Sequence, residues 1–107
     1  MKGLSKVGSF PDILECSRIV DILANAKRLE IISILYQGEL CVTELARRIG
    51  MSQSALSQHL AKMRAAGVVV SRRDKLLVYY RLAMPKIIDL LDEVARFLKS
   101  NPSPHKR

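Results

Sequence analysis

Ser52-Gln53-Ser54-Ala55-Leu56-Ser57-Gln58-His59-Leu60-Ala61-Lys62-Met63-Arg64 divides into two faces when wound as a helix of about 3.6 residues per turn. Leu56, Leu60 and Met63 fall at i, i+4 and i+7, a stripe suited to a core. Gln53, Ser54, Ser57, Gln58, Ala61 and Lys62 take the other side, which is small, polar and basic. Ser52 is a good N-cap and Gly67 a natural stop, so the spacing predicts a helix over 53–66. Upstream, Leu45, Ala46 and Ile49 predict a shorter helix over 42–49. Only Gly50-Met51-Ser52 joins the two, which makes them a helix-turn-helix.

Reading outward, Val68-Val69-Val70-Ser71-Arg72 and Leu76-Leu77-Val78-Tyr79-Tyr80-Arg81-Leu82 are β-branched and aromatic and predict two strands. Arg73-Asp74-Lys75 is the turn between them and lacks glycine, which leaves its turn type open. Alternation puts one of Tyr79 and Tyr80 in the core and the other outside. On the N-terminal side, Asn25 caps a helix over about 26–37, and Phe10 to Leu23 carries a further helical pattern. Met84-Pro85 opens a last helix, with Ile87, Ile88, Leu91, Val94, Ala95 and Leu98 in one stripe. Cys41 stands where a capping Ser or Thr is expected, with Glu44 three residues on, a capping box with sulfur for hydroxyl. The expected fold is mainly α with a small β component, in the order helix, helix, helix, helix, strand, strand, helix. The expected domain spans 10–98, with a flexible N-terminus at 1–9 and a disordered basic tail at 99–107. The apolar side of the first helix is too wide for one neighbour, so part of it faces another subunit in this reading.

The 107 residues carry a formal net charge of +8, and the charge is concentrated. Between positions 51 and 82, Lys62, Arg64, Arg72, Arg73, Lys75 and Arg81 are opposed by Asp74 alone. Such a patch suits a polyanion, duplex DNA first. In a helix-turn-helix the second helix enters the major groove, and its N-terminal residues meet base edges. The candidates here are Ser52, Gln53, Ser54, Ser57 and Gln58, because glutamine can pair bidentately with adenine and serine can donate or accept. Lys62 and Arg64, with Arg72, Arg73 and Lys75 near the hairpin tip, are candidate phosphate or minor-groove contacts. His59 reads as packing or as a phosphate contact. The alternative is a non-specific architectural DNA-binding protein, against which the Gln/Ser face argues. An enzyme is not expected: there is no Gly-rich phosphate loop, nucleophile–base pair or metal cluster. No apolar run approaches the roughly 18 residues of a membrane span and no secretory signal is visible, so no membrane partner and a cytoplasmic location are expected.

Several of these segments resemble the ArsR/SmtB family of winged helix-turn-helix regulators. Asn25-Ala26-Lys27-Arg28-Leu29-Glu30-Ile31-Ile32 is similar to the family's second-helix opening, with Ala26 where proline is common. Glu39-Leu40-Cys41-Val42-Thr43-Glu44-Leu45 resembles its third-helix box, and Ser52 to Arg64 its recognition helix, in the NolR/HlyU-like branch. Arg72-Arg73-Asp74 and Val78-Tyr79-Tyr80-Arg81-Leu82 resemble its wing. The resemblance covers roughly 10–98. It implies a homodimer through the first and last helices, bound to an imperfect palindrome in a promoter, and a repressor. A dimer of this kind places its recognition helices about 34–36 Å apart.

The same resemblance bears on effectors. Metal-binding relatives use a Cys-x-Cys pair in the third-helix box, where this chain has Cys41 and Thr43, and others use Asp and His on the last helix, which here has no His. Zinc needs about four ligands, so no metal site and no cofactor are expected. Cys16 and Cys41 remain as candidate thiol sensors of oxidation or arsenite, and for Cys41 the helix N-terminus favours a thiolate. The competing reading makes both small buried hydrophobes, with no effector at all.

Overall fold

The computed structural model describes residues 10–102. The expected flexible N-terminus (1–9) and the tail from 103 onward, including His105, lie outside the described residues. The elements are α1 (Phe10–Leu23), α2 (Ala26–Tyr36), β1 (Leu40–Cys41), α3 (Val42–Ile49), α4 (Gln53–Ala65), β2 (Val69–Asp74), β3 (Leu77–Leu82) and α5 (Ile87–Ser100).

The apolar stripes read from the sequence converge on one core. Ile31, Ile32 and Leu35 come from α2, Leu45 and Ile49 from α3, and Leu56, Leu60 and Met63 from α4. Val68, Val69 and Leu82 close it from the hairpin, and Ile22 and Ile87 from α1 and α5. Each such side chain, fully buried, contributes about 1.5–3 kcal/mol. The sheet is antiparallel with strand order β1-β3-β2. Its third strand, β1, was not expected: Leu40 pairs with Tyr80 and Cys41 with Tyr79. This pairing anchors the hairpin directly to the residue before α3.

Local chemistry explains the element ends. The Asn25 side chain accepts the Arg28 N–H at 3.1 Å, and Ser52 Oγ accepts the Ala55 N–H at 3.1 Å. Gly50 takes a left-handed φ of 73° and donates to the Ala46 carbonyl at 2.9 Å, which turns the chain from α3 into α4. Cys41 does occupy the N-cap of α3 but makes no side-chain capping bond. The expected sulfur capping box does not form, because Glu44 turns outward to Arg47 and Arg48. That pairing holds the Glu44 carboxyl down at a pKa of about 2. The hairpin turn is Lys75-Leu76, and Lys75 itself adopts a φ of 58°. Met84-Pro85-Lys86 precedes α5 as a turn, with the Ile87 N–H donating to the Met84 carbonyl at 2.9 Å, so α5 starts two residues later than expected. It then runs through Lys99 to Ser100, residues assigned to the tail by sequence.

Candidate nucleic-acid interface

The two faces of α4 separate as the sequence requires. Leu56, Leu60 and Met63 are fully buried, and Gln53, Ser54, Ser57, Gln58, Lys62 and Arg64 are exposed. Ser52 is engaged as the cap, and its Oγ lies 3.3 Å from Ser54 Oγ. Gln53 Nε2 donates to Thr43 Oγ1 on α3 at 3.5 Å, bridging the two helices of the motif. Ser57, Gln58 and Lys62 make no hydrogen bond or ion pair with the described residues, so their polar groups are free for a ligand.

The hairpin extends this face. Val69, Ser71 and Arg73 share one side of β2, and Ser71 sits opposite Tyr80, which packs on the core. Arg64 Nη1 lies 3.5 Å from Ser71 Oγ, which joins α4 to the hairpin. Arg73, two residues further on the same side, and Lys75 at the tip are exposed and make no ion pair with the described residues. Leu76 beside them is 92% exposed.

Two candidate contacts have partners within the chain. Arg72 is not a free cation: it forks onto Glu39, Nε to Oε2 at 2.9 Å and Nη2 to Oε1 at 2.7 Å, with its guanidinium 4.5 Å from the Tyr79 ring centroid. The hydrogen-bonded guanidinium in turn lowers the Glu39 pKa. His59 is half-buried, its Nδ1 3.4 Å from Arg28 Nη1. Burial first, then the charges of Arg28 and Lys62, push the His59 pKa down, which favours the neutral ring.

Arg28 is the residue that sequence reasoning missed. It is a buried cation whose Nε donates to the Ile22 carbonyl at 2.7 Å and whose Nη2 donates to the Asp21 carbonyl at 3.0 Å. These are terminal carbonyls of α1, where the helix dipole favours positive charge. Arg28 therefore joins α1, α2 and, through His59, α4. Nothing local in the sequence marks it: Lys27 and Glu30 stand beside it in the same helix, and only its burial sets it apart.

Cys16 is exposed on α1, contrary to the buried-hydrophobe reading, and Cys41 is half-buried at the start of α3. Among the described residues no three His, Cys, Asp or Glu side chains cluster as a metal site would require. No described helix is long and apolar enough to cross a membrane.

Helix-turn-helix, hairpin and flanking helices together define a winged helix-turn-helix protein with a polar, basic face on α4 and the hairpin. Residues 25–71 match the family model for bacterial regulatory proteins of the arsR family. The chain is 38% identical over 78 residues to the transcriptional activator HlyU of Vibrio cholerae, covering 73% of this chain and 72% of HlyU. It is 45% identical over 69 residues to the nodulation protein NolR of Rhizobium meliloti, covering 64% of this chain but only 57% of NolR. A homodimeric winged helix-turn-helix DNA-binding domain from Mycobacterium bovis superposes with a TM-score of 0.74 at 30% identity, covering 85% of this chain and 88% of that one. The chain belongs to the ArsR family of DNA-binding transcriptional regulators.

Proposed function

We propose that the chain binds an imperfect palindrome in promoter DNA as a homodimer and represses transcription from it, acting in the cytoplasm by binding and not by catalysis. The observation that carries this reading is the unpaired polar face of α4, Ser57, Gln58 and Lys62, with the free cations Arg73 and Lys75 on the adjoining hairpin. Gln58 would read a base edge, with Gln53, Ser54 and Ser57 beside it, and Lys62, Arg64, Arg73 and Lys75 would contact phosphate or the minor groove. The second copy covers the apolar sides of α1 and α5, where Ile13, Leu14 and Val20, and Leu90, Val94, Phe97 and Leu98 are exposed. A single exposed leucine is ordinary, but two such helices side by side are what a subunit interface needs.

Fluorescence anisotropy with duplex DNA from upstream of the gene, with competitor DNA and at fixed salt, tests the proposal. Gln58→Ala should weaken specific binding more than non-specific binding; equal losses would remove Gln58 from direct readout. Arg73→Ala should reduce the salt slope by about one. Binding abolished by competitor in the parent protein would support an architectural role instead. A promoter–reporter fusion in cells lacking the gene reads the direction of regulation: lower expression without the protein would refute repression. Exposed Cys16, with Cys41, supports a thiol response only if diamide treatment changes the same titration.

A further inference from the structure

We propose that Arg72 and Glu39 form a strap that positions the hairpin for DNA binding, so that Arg72 is a positioning residue and not a DNA contact. The strap crosses the sheet. Cross-strand register places Arg72, Tyr79 and Cys41 in one row, on the side of the sheet opposite Ser71, Tyr80 and Leu40. The latter row carries the residues that pack on the core. On the outer side, Arg72 leaves β2, lies over the ring of Tyr79 on β3, and forks onto Glu39 just before β1. It therefore ties the outermost strand of the hairpin to the segment that enters α3, skipping the strand between. β1 itself is two residues long, so its pairing holds β3 beside α3 but does not reach β2, which the strap ties in.

The chemistry of the pair suits orientation. An exposed ion pair adds little to stability, but a planar guanidinium held by two parallel hydrogen bonds and an aromatic face has one geometry. Lysine at the same place would keep the charge and lose both the fork and the stack. Arg73 and Lys75 lie beyond Arg72 on the same hairpin, and their reach toward DNA depends on the angle the strap sets.

This inference rests on the DNA-binding reading, and Glu39→Gln gives it an unusual sign. Removing an acid from a DNA-binding protein ordinarily tightens binding. If the strap positions the hairpin, Glu39→Gln weakens specific binding by about fivefold or more and flattens the salt dependence, while the melting temperature stays that of the parent. Arg72→Lys behaves in the same way. In the Glu39→Gln background Arg73→Ala then costs less than it does in the parent, because the hairpin has already lost its placement. If Arg72 were instead a phosphate contact restrained by Glu39, Glu39→Gln would bind more tightly with a steeper salt slope, and Arg72→Lys would match the parent. Either of those results, or variants indistinguishable from the parent, overturns the proposal. Amide exchange of residues 69–82 without DNA separates the two layers. Faster exchange in both variants, alongside a parent that binds no DNA, would sink the functional reading and leave the strap standing; unchanged exchange would sink the strap.

Discussion

Arg28→Met removes a buried cation while filling nearly the same space, and its cost can be worked from the contacts. The guanidinium makes two hydrogen bonds to carbonyls at the end of α1, at 2.7 and 3.0 Å. Hydrogen bonds to charged groups contribute about 1.5–3 kcal/mol each, so the pair is worth about 3–6 kcal/mol before offsets. Two offsets apply: the desolvation of the arginine is relieved, and methionine retains the apolar packing of the stem. A net loss of about 2–3 kcal/mol remains, from carbonyls at a helix end that lose their donor. For a domain of this size that lowers the melting temperature by about 10–20 °C. Thermal and urea denaturation at one fixed protein concentration measure it, since assembly also shifts the midpoint. Faster amide exchange in α1 than in α3 would place the loss at the helix end. An Arg28→Met variant as stable as the parent, or more so, would refute the reasoning, because the guanidinium would then be a net burden.

The other expectations concern pH and two backbone positions. The folded-state pKa of His59 lies below its ordinary value of 6.5, so the unfolded chain takes up the proton first. The stability it contributes is present above pH 6.5 and lost as pH falls below that. Melting temperatures across pH 5–8 should therefore flatten in His59→Gln; an unchanged profile would clear His59 of this role. Glu44 acts in a lower window: its contribution is lost as pH falls from 4.5 toward about 2, and Glu44→Gln should remove that part of the acid-unfolding curve. Gly50→Ala should cost about 1–2 kcal/mol from the left-handed φ alone, since a Cβ there meets nothing within 4 Å. Asparagine should cost less, and equal costs would point to packing. Lys75→Gly should relieve the strain of a φ of 58° and raise the melting temperature while weakening DNA binding. A rise in both would show that the Lys75 charge is not used.

What the sequence disclosed and what it hid follow the range of the interactions. The start and end of α1 and the bounds of α3 were legible within a residue because caps, glycines and apolar spacing act within a turn or two. Ser52 and Asn25 cap as their residue types suggest. The split of α4 into a buried stripe and a polar face was legible for the same reason. β1 was not: Leu40-Cys41 has no strand pattern of its own and becomes a strand only because Tyr79 and Tyr80 lie alongside. Cys41 looked like a cap because the local spacing fits, yet a thiol is a weak partner and Glu44 had two nearer cations. Arg72 read as one more free charge, since its partner Glu39 is 33 residues away. Arg28 needed the end of another helix before its burial made sense.

The last turns of α5 show how one segment's order can depend on something outside its own chain. From Asp92 to Ser100 every residue is exposed, although Val94, Phe97 and Leu98 are apolar. Nine helical residues with so little tertiary cover are marginal in water. In the proposed dimer, the second copy would cover this segment's apolar side, and its helicity would then become an internal gauge of protein concentration. In a dilute solution it should fray while α3 and α4 stay ordered, and it should firm up as subunits meet. A resonance or label near Phe97 would then report assembly without touching the polar face of α4.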